Sequence, residues 1–340
     1  MYAYYTYFDK NYAVRAVAMY RSLRRNSGPM RMFMFCLDDE AHRALTRLQL
    51  PDVTLVRLAE LEEGDPELLR VKSGRSLVEY YFTCTACAGC FLMNTQPAIQ
   101  VLTYLDSDLF FYRPLEPLLE AFQGHSIGVT YQCFPQYNLP RTGRYNVGWV
   151  NWRRDSEGLG CLREYRRQCL EWCYLREEDG KYADQAYLDA WEELPGFHVF
   201  QTKGANVAPW NLGNYTLVCD SDGIQVDGYP LIFFHFHKFS ALSRDWFDTN
   251  LWAARRLTNP LRERLILPYI DELRSTTLNL PLSGSLLRHF PYRQGLPRLA
   301  RNLVRIWLIL ARCTFVYYPQ RNAISGTRNA DMHFNAPPSE

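Results

Sequence analysis

Thr103-Tyr-Leu-Asp106-Ser-Asp108-Leu-Phe-Phe-Tyr112 sets two carboxylates two residues apart, directly after Ile99–Leu105, an apolar run that reads as a buried strand. Open α/β sheets bind ligands in the crevice beyond the carboxyl ends of their strands, so this position matters as much as the residue types. If the segment is extended, residues 106 and 108 point the same way and both carboxylates reach one centre. Hard oxygen ligands suit Mg2+ or Mn2+, ions that bridge diphosphates and neutralise their charge. A bare Asp-x-Asp also suits an ordinary strand-end turn, so the rest of the chain has to decide between the two.

Working outward, strand-like and helix-like patterns alternate. Tyr2–Tyr7, Met32–Cys36, Val53–Leu58, Ile127–Tyr131 and residues 145–152 read as strands. Ala13–Leu23, Ala41–Leu48, Arg75–Phe91, Leu159–Tyr174 and Ala183–Trp191 carry a helical apolar period. In Leu159–Tyr174 that face holds Leu162, Tyr165, Cys169, Trp172 and Cys173. Alternation at this spacing predicts an α/β fold with a mainly parallel, doubly wound sheet. There is no internal repeat. Beyond about residue 240 the pattern turns mostly helical and basic, and a loose tail follows from about 319 to 340.

Several candidates lie where a ligand would meet such a sheet. Leu231–Phe234 reads as a buried strand ending in His235, whose neutral imidazole suits a third metal ligand. His237 falls on the same side, and Lys238 is placed to contact phosphate. Asp184–Gln185 reads as a helix start, where Asp is favoured as a cap. As chemistry, an Asp there offers a base or nucleophile, and a Gln amide can stabilise an oxocarbenium-like centre. Asn146 and Gly148 sit in a strand, and a strand Gly often marks close approach of a ligand. Gly204-Ala-Asn206-Val-Ala-Pro-Trp210-Asn211 fits a hydroxyl-reading loop or a packed turn. Cys84-x2-Cys87-x2-Cys90 has cluster-like spacing, but it lacks a fourth ligand and lies on one face of an apolar helix, so it reads as small core residues.

Together these motifs resemble GT-A-fold nucleotide-sugar transferases, especially glycosyltransferase family 8 and a related, mostly uncharacterised bacterial group. The resemblance covers roughly residues 2–240 and implies a GT-A (Rossmann-like) mixed, mainly parallel sheet flanked by helices, with a helical basic C-terminal appendage. It implies a catalytic domain over 1–240, the appendage over 241–318 and the tail over 319–340. By that likeness Asp9 and Asn11 read the nucleotide base and Tyr12 stacks on it, and Arg75 faces the donor. Asp106, Asp108 and His235 hold Mn2+ or Mg2+, with Ser107 and Lys238 beside the phosphates. Asn146, Asp184 and Gln185 surround the sugar, and Asn206 and Trp210 complete the donor pocket. The implied reaction moves a sugar, with retention, from a nucleotide-sugar such as a UDP-sugar to a glycan or lipid-linked acceptor. Two departures stand out. The family's Gly and Lys-Pro-Trp after the His are replaced by Phe236-His-Lys238-Phe, and a carboxylate common after the Ile127 strand is replaced by Thr130-Tyr-Gln132.

Composition narrows the alternatives. Apolar residues at 47% and charged residues at 22% suit a folded soluble chain, and 15% aromatics suit stacking on ring-shaped ligands. Ten Cys without a secretory leader read as reduced cytoplasmic thiols. No apolar run reaches the ~20 residues of a membrane span. Residues 241–340 carry 14 Arg against 7 Asp/Glu, which leaves −5 on the first 240 of a chain with net charge +2. Arg298, Arg301, Arg305 and Arg312 beside Leu299, Leu303, Ile306 and Leu310 form an amphipathic cationic pattern. Such a helix suits either the anionic cytoplasmic face of an inner membrane or packing on the main domain. The basic residues match no nucleic-acid motif. A sugar-phosphate nucleotidyltransferase would need a Gly-rich, basic triphosphate loop after the first strand, and Phe8–Tyr12 has none. A non-catalytic sugar-nucleotide binder would have no need of the metal.

Overall fold

The computed structural model describes residues 2–134, 142–251, 257–280, 282 and 315–319. Its centre is a seven-stranded sheet. In chain order the strands and first helices are β1 (Tyr2–Phe8), α1 (Ala13–Arg25), β2 (Arg31–Cys36), α2 (Asp39–Leu48) and β3 (Val53–Arg57). Then come α3 (Leu58–Gly64), α4 (Pro66–Val71), α5 (Leu77–Thr95), β4 (Val101–Leu105), β5 (Leu109–Phe111) and α6 (Glu116–Ala121). They are followed by β6 (Ile127–Tyr131), β7 (Tyr145–Arg153), α7 (Ser156–Glu171) and β8 (Phe197–Phe200).

The spatial order is β3-β2-β1-β4-β7-β6-β8. The β1–β2, β1–β4, β2–β3 and β6–β8 pairs are parallel, and β7 runs antiparallel to both β4 and β6. The strands are apolar on both faces because helices cover both, as parallel sheets require. Alternation sends Ala3 and Tyr5 into a core shared with α5 and α7, and Tyr4 and Phe8 into one shared with α1. The chain winds away from β1 in both directions, to β2 and to β4, so the crevice above β1 and β4 is the switch point at which α/β sheets bind ligands.

Local chemistry shifts some predicted boundaries. The helix predicted from Arg75 begins at Leu77, because Ser76 and Glu79 close a capping box, the Glu79 carboxylate accepting from Ser76 N at 2.9 Å. The helix predicted from Leu159 begins at Ser156, where Asp155 accepts from Gly158 N at 2.8 Å. It ends at Glu171, so Trp172 and Cys173 lie beyond it. The helix predicted over Ala183–Trp191 is a 3-10 segment, Ala186–Glu193. Ala183 stands at φ 46°, a left-handed conformation that an α-helix cannot include.

A meander, β9 (Leu217–Asp220), β10 (Gly223–Val226) and β11 (Tyr229–Pro230), leads into β12 (Phe233–His235). β12 pairs antiparallel with β5, matching His235 to Leu109 and Phe234 to Phe110. Past residue 240, where helix was predicted, a small antiparallel sheet joins β13 (Ser240–Ala241), β14 (Trp246–Asp248) and β15 (Phe315–Tyr317). After α8 (Asn259–Leu261) and a π-helical turn, α9 (Leu267–Asn279) packs on α1. Glu272 of α9 bridges Arg21 and Arg25 at 3.3 and 2.7 Å, and Tyr269 stacks on Phe236 with centroids 3.8 Å apart. These residues share one apolar core with β1 and α1. The Arg298–Arg312 pattern and residues 320–340 lie outside the described residues. No helix among the described residues is long and apolar enough to cross a membrane.

Candidate active site

Asp106, Ser107 and Asp108 form the turn that carries the chain from β4 of the large sheet to β5 of the β5–β12 pair. Leu109 N donates to Asp106 O at 3.3 Å, so the segment is a turn and not the extended run read from sequence. The carboxylates nonetheless meet at one imidazole. His235 Nε2 lies 3.0 Å from Asp108 Oδ1 and 3.5 Å from Asp106 Oδ2. The meeting depends on the pairing of β5 with β12, extended by Phe236 N donating to Asp108 O at 2.9 Å. Burial pushes Asp108 up, but the charge and hydrogen bond of His235 outweigh it and hold the carboxyl down at about 2. Burial raises Asp106 against the pull of His235. Burial lowers His235, yet Asp108 and Asp106 together outweigh it and raise it above the usual imidazole range. His237 is held down at about 3 by burial and by His235.

Opposite this turn, Gly148 of β7 comes close. A Cβ there would sit 2.6 Å from Asn146 Oδ1 and 3.1 Å from both Asp106 Oδ2 and His235 Nδ1. Only glycine leaves that space clear. Asn146 Oδ1 accepts from Gly148 N at 2.9 Å, while Asn146 Nδ2 donates to Gln132 Oε1 at 2.5 Å and Gln185 Oε1 at 3.3 Å. Gln185 Nε2 donates to Thr142 O at 2.9 Å. The 204–211 loop runs beside β12, with His235 N donating to Val207 O at 2.8 Å. At Gly204 a Cβ would fall 1.9 Å from Pro230 O, so a side chain would push this loop away. The loop sets the Trp210 ring 5.1 Å from His235 and 5.5 Å from His237, edge to face. Trp210 Nε1 donates to Gln132 O at 2.7 Å, and Asn206 Nδ2 to Tyr131 O at 3.0 Å.

The remaining candidates sit as follows. Ser107 is buried within the turn. Asp9 shapes the loop after β1, its Oδ2 accepting from Asn11 Nδ2 at 2.8 Å and its Oδ1 from Asn11 N at 2.9 Å. Tyr12 is 40% exposed, and the Arg15 guanidinium lies 4.7 Å from its ring centre. Lys238 is exposed at φ 57° beside His237. Arg75 donates to the Thr83 hydroxyl and, at 2.6 Å, to Leu170 O at the end of α7. Asp184 caps no helix. It is buried, its Oδ2 accepting from Thr85 Oγ1 at 2.9 Å, and burial, opposed by that bond, raises its carboxyl to about 7. Asp184 and Gln185 thus face different neighbours, Thr85 of α5 and Asn146 of β7.

The residue-by-residue reading passed over Arg15 and Tyr104. Arg15 is 6% exposed and donates to Asn11 O at 3.0 Å and Phe239 O at 2.9 Å, stitching the β1 loop to the loop after His237. A lone Arg in the apolar run Ala13–Met19 was the available signal. Tyr104 OH donates to Asp106 Oδ1 at 2.8 Å, and its signal was the strand's period of two. Non-glycine residues with positive φ gather here as well: Cys133, Ala183, Asn206 and Lys238. Such strain tends to persist at functional sites.

The donor set fits a divalent cation. With bonds of about 2.1 Å, adjacent ligands of an octahedral ion lie ~3.0 Å apart and opposite ones ~4.2 Å. Asp108 and Asp106 stand at 3.0 and 3.5 Å from His235, and ligand atoms of Asp108, His235 and His237 all fall within 4.8 Å of one another. His235 Nδ1 and Asn206 Oδ1 are buried without a hydrogen-bond partner, polar atoms of the kind a bound ligand or water satisfies.

The sheet order, the acidic turn at its switch point and the histidine facing it define a GT-A-fold protein. The galactosyltransferase LgtC, solved with donor and acceptor sugar analogs, shares this fold at a TM-score of 0.50 and 17% identity, over 89% of this chain and 99% of LgtC. Two Bacillus subtilis (strain 168) proteins are similar in sequence. Uncharacterized protein YfnF is 32% identical over 252 residues, 71% of this chain and 82% of YfnF. Uncharacterized protein YfnD is 28% identical over 275 residues, 79% of this chain and 88% of YfnD. No protein-family model matches the sequence. The chain belongs to the family of YfnF, and it has the GT-A fold.

Proposed function

We propose that this chain is a metal-dependent glycosyltransferase that moves a sugar from a nucleotide-diphosphate donor, a UDP-sugar, to a glycan or lipid-linked acceptor with retention. One observation carries the reading: two carboxylates and an imidazole meet at 3.0 and 3.5 Å where β4 leaves the sheet. The donor and acceptor analogs bound by LgtC support partners of the same two kinds here. Asp106, Asp108 and His235, with His237 alongside, would hold Mn2+ or Mg2+. When bound, the ion supplies positive charge against the departing nucleoside diphosphate.

The chain's own residues do the rest. Tyr12 stacks on the base from above Arg15, and Asp9 and Asn11 read its polar edge. Ser107 and Lys238 face the phosphates. Asn146, Gln185, Asn206 and Trp210 orient the sugar, Asn146 and Trp210 aligned by Gln132, Gln185 by Asn146 and Thr142, and Asn206 by Tyr131. Fixed dipoles of this kind cost no reorganisation as charge develops. Asp184, buried against Thr85 with its carboxyl raised to about 7 by that burial, supports the sugar-side wall.

Thermal shift against UDP-, GDP- and CMP-sugars, with and without Mn2+, tests the reading. At about a hundredfold excess over Kd a bound donor adds roughly 2.7 kcal/mol of stability. A rise of several degrees with a UDP-sugar and Mn2+, cancelled by EDTA, is expected. No response to any sugar-nucleotide, or full transfer in metal-free buffer, would overturn it.

A further inference from the structure

Two phenols stand between the acidic turn and Asp184. Asp106 divides its oxygens: Oδ1 accepts from Tyr104 OH at 2.8 Å, and Oδ2 faces His235 Nε2 at 3.5 Å. Tyr104 stacks on Tyr7 of the neighbouring strand, with centroids 5.6 Å apart and planes 24° from parallel. Tyr7 OH lies 3.1 Å from Thr85 Oγ1, which donates to Asp184 Oδ2 at 2.9 Å. Each hydroxyl has a single proton to give. Thr85 gives its proton to Asp184, so Tyr7 must donate to Thr85, while Tyr104 gives its own to Asp106. The protons therefore run outward from the tyrosine stack to the two carboxylates.

We propose that Tyr104 and Tyr7 are positioning residues that act as one unit. Tyr104 fixes which oxygen of Asp106 faces the cation, and the Tyr7 stack ties that choice to the Thr85–Asp184 pair on the sugar side. Parallel β1 and β4, in register at Tyr5 and Tyr104, bring the two rings together. A hydrogen bond to the non-coordinating oxygen removes a rotational alternative that would otherwise compete with ion binding. The inference rests on the metal-dependent reading above.

Mn2+ titration of the full chain, followed by the EPR signal of free Mn2+ well below the melting temperature, is the test. Tyr104→Phe should raise the Mn2+ Kd by about ten- to a hundredfold, the usual effect of losing an outer partner of a metal ligand. Tyr7→Phe should raise it less, and the double variant should be non-additive. Tyr5→Phe is the control. Tyr5 is buried on the same strand, but its hydroxyl donates to the Thr85 carbonyl at 2.8 Å, so it should lower Tm and leave Kd unchanged. If Tyr104→Phe does not fold, Tyr7→Phe carries the test in the same direction. An unchanged Kd in folded Tyr104→Phe or Tyr7→Phe, or strict additivity, overturns the proposal alone. A wild-type chain that binds no Mn2+ overturns the metal reading and this proposal together.

Discussion

Cys84, Cys87 and Cys90 on α5, and Asp106, Asp108 and His235 at the β4 edge, are two clusters of metal-ligand residue types, and they have opposite fates. All three cysteines are buried, in one core with Cys161, Leu162 and Cys169 of α7. Burial pushes their thiols up, Cys90 to about 12, so they stay neutral and fill space. Asp108 is also buried, yet His235 keeps it ionised. Among the described residues, the single group with ligand atoms close enough for an ion is Asp108, His235 and His237. Burial by itself silences a ligand. Burial beside a compensating charge keeps it ready for exchange with a cation.

The comparison breaks most visibly at the acidic turn. Asp108→Ala should raise the Mn2+ Kd and cut transfer by more than about a hundredfold, on the order of 3 kcal/mol, without unfolding the chain. Near-wild-type binding by calorimetry would place the ion elsewhere.

Asp184 sits between the two extremes and sharpens the contrast. Its carboxyl ionises near 3.8 when unexposed to the fold's influence and is raised to about 7 by burial. The folded chain therefore holds this proton more tightly. The associated stability is full below about pH 3.8 and is lost as pH rises through about 7. Asp184→Asn should flatten that fall, a change on the order of 2–3 kcal/mol in urea unfolding at alkaline pH. An identical pH profile in the variant would show that the carboxyl is not held protonated.

Gly148→Ala should act next, through crowding of Asn146 and Asp106. Transfer should fall by roughly tenfold, about 1.4 kcal/mol in the barrier, with far-UV circular dichroism unchanged. Unaltered kcat/KM would show that the gap over Gly148 is not used. The smallest effect belongs to the thiols. Cys87→Ala should cost about 1 kcal/mol of stability and leave the Mn2+ Kd where it was. A shifted Kd would mean that the α5 cysteines take part in ligand chemistry after all.

Much of the fold was legible in the sequence because its signals are local. Short apolar and aromatic runs mark β1, β4 and β7, and a helical period marks α1, α2 and α5, whatever lies on the other side of them. The failures were local too. Ser76 and Asp155 reset helix starts through side-chain caps, and the left-handed Ala183 broke a helix that the apolar period alone predicted. At the site, the Asp pair could be read from its place after a strand. Tyr104 and Arg15 left only a strand's alternation and a lone Arg in an apolar helix as signals, and neither says what the side chain touches.

The sequence by itself determined the strand–helix alternation and the two aspartates where an apolar strand ends, since both follow from neighbours a few residues apart. Only the tertiary structure decided that β12 pairs with β5 to bring His235 against them, and that Asp184 turns to Thr85 while Gln185 turns to Asn146. Those contacts join residues far apart in the chain. Their energy comes from burial and pairing in the assembled fold, and no short-range pattern encodes it.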